Sequence, residues 1–268
     1  MKKITAVLII ALLCVSLCSC NSSLVTTIKG YLGQETVEKP AGYIETKENE
    51  FYVYDVFKKH IELIEYKGGE KDVVIPTELE GKPVTVIGDS CFYRNSSIET
   101  VIVPEGIEII ETAAFYCCTS LRRASLPESC VSFGEKLFSW CEALESIKLP
   151  SGMTSVPDYA FNNCTSLTEI IWNTTVTHIG VRAFSWCTSL NTVVLPESVA
   201  TIASYAFYDC GTLQTVIIPP AAEYAPNAFE KCDNATVTGG NVMTETSDVS
   251  EDLSAPEEIS EEISQTIS

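Results

Sequence analysis

The chain has 268 residues and sets 36 Asp and Glu against 17 Lys and Arg, a formal net charge of −19. So acidic a surface repels phosphate backbones and argues against nucleic acid as a partner. The two histidines, His60 and His178, are too few for most transition-metal or acid–base constellations, and no cofactor is expected.

Lys2 and Lys3 precede an apolar run from Ile4 to Leu17, which is too short to span a bilayer comfortably, so residues 1–20 read as a targeting segment. Leu17-Cys18-Ser19-Cys20 resembles the bacterial lipobox, in which the last Cys is lipidated and becomes the mature N-terminus. Cys20 is therefore the expected lipid attachment and membrane anchor. Leu17 is too large to stand before a cut at Cys18, and an ordinary secretory signal is the alternative reading. Two acyl chains on one Cys anchor stably where one does not. Residues 21–50 mix Ser, Thr, Gly, Glu and Lys without period and are expected to be a flexible linker. Phe51-Tyr52-Val53-Tyr54 and Ile61 to Tyr66 then supply two strands, expected as a β-hairpin over the N-terminal edge of the core, because open sheet edges invite aggregation.

The next 140 or so residues repeat. Phe92, Phe115, Phe138, Phe161, Phe184 and Phe207 recur every 23 residues, with Phe229 one residue early. Three residues after all but the first comes a Cys: Cys118, Cys141, Cys164, Cys187, Cys210 and Cys232. Six after the first six comes Ile98, Leu121, Leu144, Leu167, Leu190 or Leu213, and twelve after comes a Pro, with Asn173 the exception. Within a unit, Ile147 and Leu149 alternate with Ser146 and Lys148, the period-two pattern of a strand with one buried face, and Pro150 ends that strand. The remainder is too short for an average helix, so one turn of α- or 3₁₀-helix is expected there. An Ala usually precedes the Phe (Ala114, Ala160, Ala183, Ala206, Ala228), leaving little room at that position.

These units resemble the BspA-like leucine-rich repeat of bacterial surface proteins, in register from about Ile87 to Cys232. Tyr66-Lys67-Gly68-Gly69 through Val73-Val74-Ile75-Pro76 to Gly81-Lys82-Pro83-Val84 resembles the usual lead-in. The resemblance implies an α/β solenoid of 23-residue units, with a parallel strand and a short helical or 3₁₀ turn in each, across a domain of residues 51–238. It also implies adhesion or protein binding rather than a single activity. Residues 239–268 hold eight acidic residues and no Lys or Arg, so a disordered acidic tail is expected.

Nine of the twelve cysteines follow Cys20. Zinc ligation needs clustered thiols, whereas a 23-residue period sets them in a line. Disulfides between neighbouring rungs fit the distance but not the parallel direction of the side chains. Buried thiols acting as small hydrophobes with a weak donor fit best. Cys117 lies outside the register and is the expected exposed, reactive thiol.

The outward strand positions concentrate two features. Arg122, Arg123 and Lys148 put basic charge on adjacent rungs, and Ile171, Val194 and Ile217 form an apolar ladder. Exposed charges are usually only solvated, and β-branched residues favour strands regardless of function. A contiguous apolar stripe with a polar rim nevertheless often marks an interaction site. On the opposite side, Trp140 and Trp186 offer an alternative, glycan-stacking surface, although large aromatics at a repeat corner more often pack on the next coil. No phosphate-cradling Gly loop, metal-ligand spacing or nucleophile elbow is present, so no enzyme is expected. The expected role is a lipid-anchored surface protein that binds an extracellular protein of a host, a matrix or a bacterial surface. A glycan-binding module and a purely structural envelope component are the alternatives.

Overall fold

The computed structural model describes residues 40–243; Cys20, residues 1–39 and the acidic stretch from residue 244 lie outside the described residues. Ahead of the repeats run β1 (Tyr43–Glu48), β2 (Tyr52–Phe57), β3 (Ile61–Tyr66), β4 (Asp72–Val74), β5 (Glu78–Leu79) and β6 (Lys82–Ile87). Each repeat then contributes a longer and a shorter strand. These are β7 (Thr100–Ile102) and β8 (Ile109–Ile110), β9 (Arg123–Ser125) and β10 (Ser132–Phe133), β11 (Ser146–Lys148) and β12 (Ser155–Val156). The series continues with β13 (Glu169–Ile171) and β14 (His178–Ile179), β15 (Thr192–Val194) and β16 (Thr201–Ile202), β17 (Thr215–Ile217) and β18 (Glu223–Tyr224), β19 (Thr236–Thr238) and β20 (Asn241–Val242). All lie in one compact unit beginning at Gly42.

The two strands expected before the repeats pair antiparallel. They are joined by β1, antiparallel to β2, in residues expected to be linker. β1 has few apolar residues and is mostly exposed, so its pairing rather than its pattern makes it a strand. At the other end β20 pairs with β18, placing two residues of the expected tail in the sheet. β3 joins the stack by parallel pairing to β6. Tyr52 and Tyr66 lie 6.4 and 5.0 Å from Phe92.

From Phe92 onward the core is a column. Successive rings lie 4.9, 5.2, 5.7, 5.1, 5.2 and 5.3 Å apart and within 16° of parallel, ending at Phe229. The six rings from Phe92 to Phe207 are almost fully buried, as are Ile98 and its five Leu equivalents. Such a spacing matches that of neighbouring strands, so the side-chain column and the backbone ladders share one repeat.

With both strands of a coil paired to their neighbours at that spacing, an α-helix has no room between them. An α-helix with its side chains is about 10 Å wide, twice the room one coil allows. No helix occurs among the described residues, which corrects the expected helical or 3₁₀ turn. In its place are overlapping turns, such as Tyr116 N–H to Ala113 O at 2.9 Å and Cys118 N–H to Phe115 O at 3.4 Å. The residues two before and two after the Phe are left-handed: Ala113 and Cys117 have φ of 55° and 60°, and Lys136 and Trp140 have 57° and 63°. Left-handed backbone costs a non-glycine residue about 1 kcal/mol. It also turns alternate peptides along the stack, so that the N–H groups of Ala113, Phe115 and Cys117 reach Glu135 O, Leu137 O and Ser139 O at 2.8, 3.0 and 2.8 Å. These bonds satisfy a buried side of the coil that no strand covers.

The thiols complete that wall. Cys118, Cys141, Cys164, Cys187, Cys210 and Cys232 donate S–H to the carbonyl of the Phe one coil earlier, at 3.1, 3.1, 3.2, 3.3, 3.2 and 2.9 Å. All nine described cysteines are free. Burial pushes the Cys91, Cys164 and Cys187 thiols well up from the ordinary value.

The ladders break at two places. Strands β4, β7, β9, β11 and β13 form one sheet and β15, β17 and β19 another. The step between them holds Trp172, partly buried in the core column where the other coils carry Val103, Leu126, Leu149, Leu195 and Ile218. Its ring meets Phe184 edge-on at 5.6 Å, and so large a side chain holds the next strand away. The shorter strands part between β10 and β12. Gly134, Gly180 and Ala203 each donate their N–H to the preceding coil at 2.8 to 2.9 Å, whereas Pro157 at the same position has no N–H to give.

Replacing Phe161 with Ala should cost roughly 3–5 kcal/mol in denaturant unfolding, because its ring is stacked on both faces; a cost under about 1 kcal/mol would contradict a packed column. The thiols of Cys91, Cys164 and Cys187 set a pH limit as well. Their folded pKa values lie above the unfolded value of about 8.5, so their contribution is complete below that pH and is lost as pH rises through the folded values. Stability should therefore fall above about pH 8.5, and Cys164→Ala should flatten the slope; an unchanged slope would show that these thiols are not the cause.

Candidate functional site

The outward strand positions form a wall, as expected. Within it Arg122 Nη1 lies 3.1 Å from Glu145 Oε1 and Lys148 Nζ lies 2.9 Å from Glu128 Oε1. Both pairs are exposed and worth at most about 1 kcal/mol, but they neutralise two of the three expected cations. Arg123 is exposed and has no ion pair among the described residues.

Glu128 has a second task. It accepts from Ser151 N–H and Oγ–H at 2.7 Å each, one coil on. Those bonds, the Ser151 amide first and then Lys148, hold its carboxyl down at about 2. Glu105 does the same one coil earlier, accepting from the amides of Glu128 and Ser129 at 3.0 Å each, and its pKa is lowered by them. These carboxylates tie coils together and are not poised for acid–base work.

The strand register adds Val74 and Ile102 to the apolar positions but interrupts the row at Ser125 and Lys148. Val74 pairs with Ile102, Ile102 with Ser125, Lys148 with Ile171, and Val194 with Ile217. Val74 is 65% exposed and Ile102, Ile171, Val194 and Ile217 are 45–52% exposed. Val74 was not visible as a member because it lies in the lead-in. The signal was present, for Val73-Val74-Ile75-Pro76 and Val101-Ile102-Val103-Pro104 have the same spacing to Pro. The wall nonetheless comes in two panels: Ile171 ends one sheet, and Val194 and Ile217 begin the other.

The turn face differs. Trp140 and Trp186 are half-buried at left-handed positions, separated by the coil that carries Asn163. They do not form one platform. Trp186 instead packs edge-on to Tyr208 at 5.3 Å, and the Arg182 guanidinium lies over Trp186, Tyr205 and Tyr208 at 5.6, 4.7 and 5.3 Å. Lys231 lies over Tyr208 at 4.8 Å, and Lys136 over Tyr159 at 5.7 Å. None of these partners followed from the spacing of the tryptophans alone. Cys117 also differs from expectation. It is half-buried, and burial pushes its thiol up against the opposing pull of Arg94, so it is not an activated nucleophile. Among the described residues no group of three or more His, Cys, Asp or Glu is placed to hold a metal.

The BspA type leucine rich repeat region matches in six copies, over residues 72–171 and 154–241. Among solved structures, the T. pallidum leucine rich repeat protein is 30% identical over 74% of this chain and 83% of its own, with a TM-score of 0.49. A leucine-rich repeat protein from Eubacterium ventriosum is 22% identical over 76% of this chain, with a TM-score of 0.60, and 53% of its own length is covered. One from Bacteroides capillosus is 26% identical over 47% of this chain and 97% of its own, with a TM-score of 0.40. No curated protein matches. With more than half its length matched in register, and with coils that stack at the spacing the repeats require, this chain belongs to the BspA-type leucine-rich repeat family.

Proposed function

We propose that this chain is a surface-anchored, non-catalytic lipoprotein whose strand wall docks an extracellular protein of a host, a matrix or a bacterial surface. The observation that carries the reading is exposed apolar residues on the strand wall, Val74 beside Ile102 and Val194 beside Ile217, with Ile171 between the two pairs. Solvent-facing strand positions default to polar residues, and an apolar row on a rigid wall loses water favourably against a partner. Arg123 beside it is a cation without an internal partner among the described residues, available to steer an acidic one. The lipobox-like sequence supports anchoring through Cys20, and the family supports binding rather than catalysis. In this reading β1 to β3 close the N-terminal edge of the stack, where exposed strands would otherwise recruit other chains.

Two measurements test it. Incorporation of radiolabelled fatty acid should be lost in Cys20→Ser; label retained in that variant would remove Cys20 as the attachment site. For docking, the soluble Cys20→Ser chain should capture an extracellular protein, and Val194→Lys with Ile217→Lys should weaken capture at least about tenfold, the loss expected when buried apolar anchors become charged. Capture that survives this change and Arg123→Glu alike would show that the wall is not the docking surface.

A further inference from the structure

The cations of the two faces are held differently. On the strand wall Arg122 and Lys148 sit in ion pairs, and Arg123, which has none among the described residues, points to solvent without a ring over it. On the turn face Lys136, Arg182 and Lys231 each lie over an aromatic ring, with no ion pair among the described residues. In a chain with 36 acidic residues, three cations set over rings rather than in ion pairs stand out. Arg182 is the most constrained of them. Three rings hold its planar group, and no acceptor among the described residues takes any of its five N–H donors. A half-buried guanidinium with unused donors is a ready carboxylate receptor, because its fork matches the two oxygens.

The arrangement is periodic. Two residues before each Phe, four successive coils carry Lys136, Tyr159, Arg182 and Tyr205, so cation and ring alternate. Phe161, Phe184 and Phe207, one per coil, are 5.1 and 5.2 Å apart. That step is close to the length of one hexopyranose ring in an extended chain, so a charge at every second coil matches a charge on every second sugar. Trp186, Tyr205 and Tyr208 supply the faces and edges on which sugar C–H groups pack. Lys231 is engaged first by Tyr208 and then, through space, by Asp209 and Glu230, which leaves Arg182 as the anchoring cation.

We propose that the turn face from Lys136 to Lys231, where local cations stand against the chain's prevailing negative charge, binds a linear polysaccharide carrying a carboxylate on alternate sugars, with Arg182 pairing that carboxylate and Trp186, Tyr205 and Tyr208 packing on the adjoining rings. This site is separate from the strand wall and does not depend on its having a protein partner.

The test titrates the soluble Cys20→Ser chain with hyaluronan oligosaccharides, with the same oligosaccharides after reduction of their carboxylates to alcohols, and with neutral chitin oligomers, by calorimetry. Saturable binding to hyaluronan is expected, with at least about tenfold weaker binding to the carboxyl-reduced form, the loss of one charge-assisted bidentate contact. Arg182→Gln should weaken hyaluronan binding by a similar factor. Arg182→Lys keeps the charge over the rings and loses the fork, so it should fall between, and it serves if Arg182→Gln lowers the melting temperature. Arg123→Glu on the strand wall should leave this affinity unchanged while impairing protein capture, which keeps the two readings separable. Absence of hyaluronan binding, equal binding of the carboxyl-reduced or neutral oligomers, or wild-type affinity in both Arg182 variants would overturn the proposal.

Discussion

Stacked phenylalanines set the scale of this molecule. Rings 4.9 to 5.7 Å apart fix how far one coil stands from the next, and every other group has to fit that step. Ala114, Ala160, Ala183, Ala206 and Ala228 are buried at the position before the ring, where only Cys91 and Leu137 are larger. The thiol that follows each ring but the first is small enough to turn inward and donate to the preceding coil's carbonyl. The turn side adopts left-handed backbone because that is how alternate peptides point along the stack within the allotted width. Local strain of about 1 kcal/mol at each such residue is offset by hydrogen bonds that every neighbouring coil repeats.

The same constraint explains the irregularities. Trp172 takes the place of an aliphatic residue and the longer strands part beside it; Pro157 lacks a donor and the shorter strands part there. Neither break interrupts the phenylalanine column, whose spacing passes through both. Core and surface are thus separately adjustable. The column keeps the coils together while single side chains divide the strand wall into panels, and the turn face keeps a different charge arrangement from the wall.

Much of this was legible in the residues. Repeat period, core columns, strand positions and the exposed ladder at Ile171, Val194 and Ile217 all follow from spacing, since a stack puts equivalent positions side by side. The turn was misjudged as helical because a short segment is consistent with a helix until the width of a coil is known. β1 went unread because Tyr43 to Glu48 is polar and becomes a strand through a partner. The cluster around Arg182 was missed for a related reason: Arg182, Trp186, Tyr205, Tyr208 and Lys231 come from three coils and three columns, and only their meeting makes them a site.

What the sequence by itself determined is the order of this molecule along its stack, because a residue's column is a matter of counting once the period is known. What only the tertiary structure decided is which charges are spent and which are free. Lys148 and Arg182 look alike in the sequence, yet one faces a carboxylate 20 residues away and the other faces three rings. An ion pair forms or fails over a few ångströms, a distance that side-chain direction sets and residue order does not.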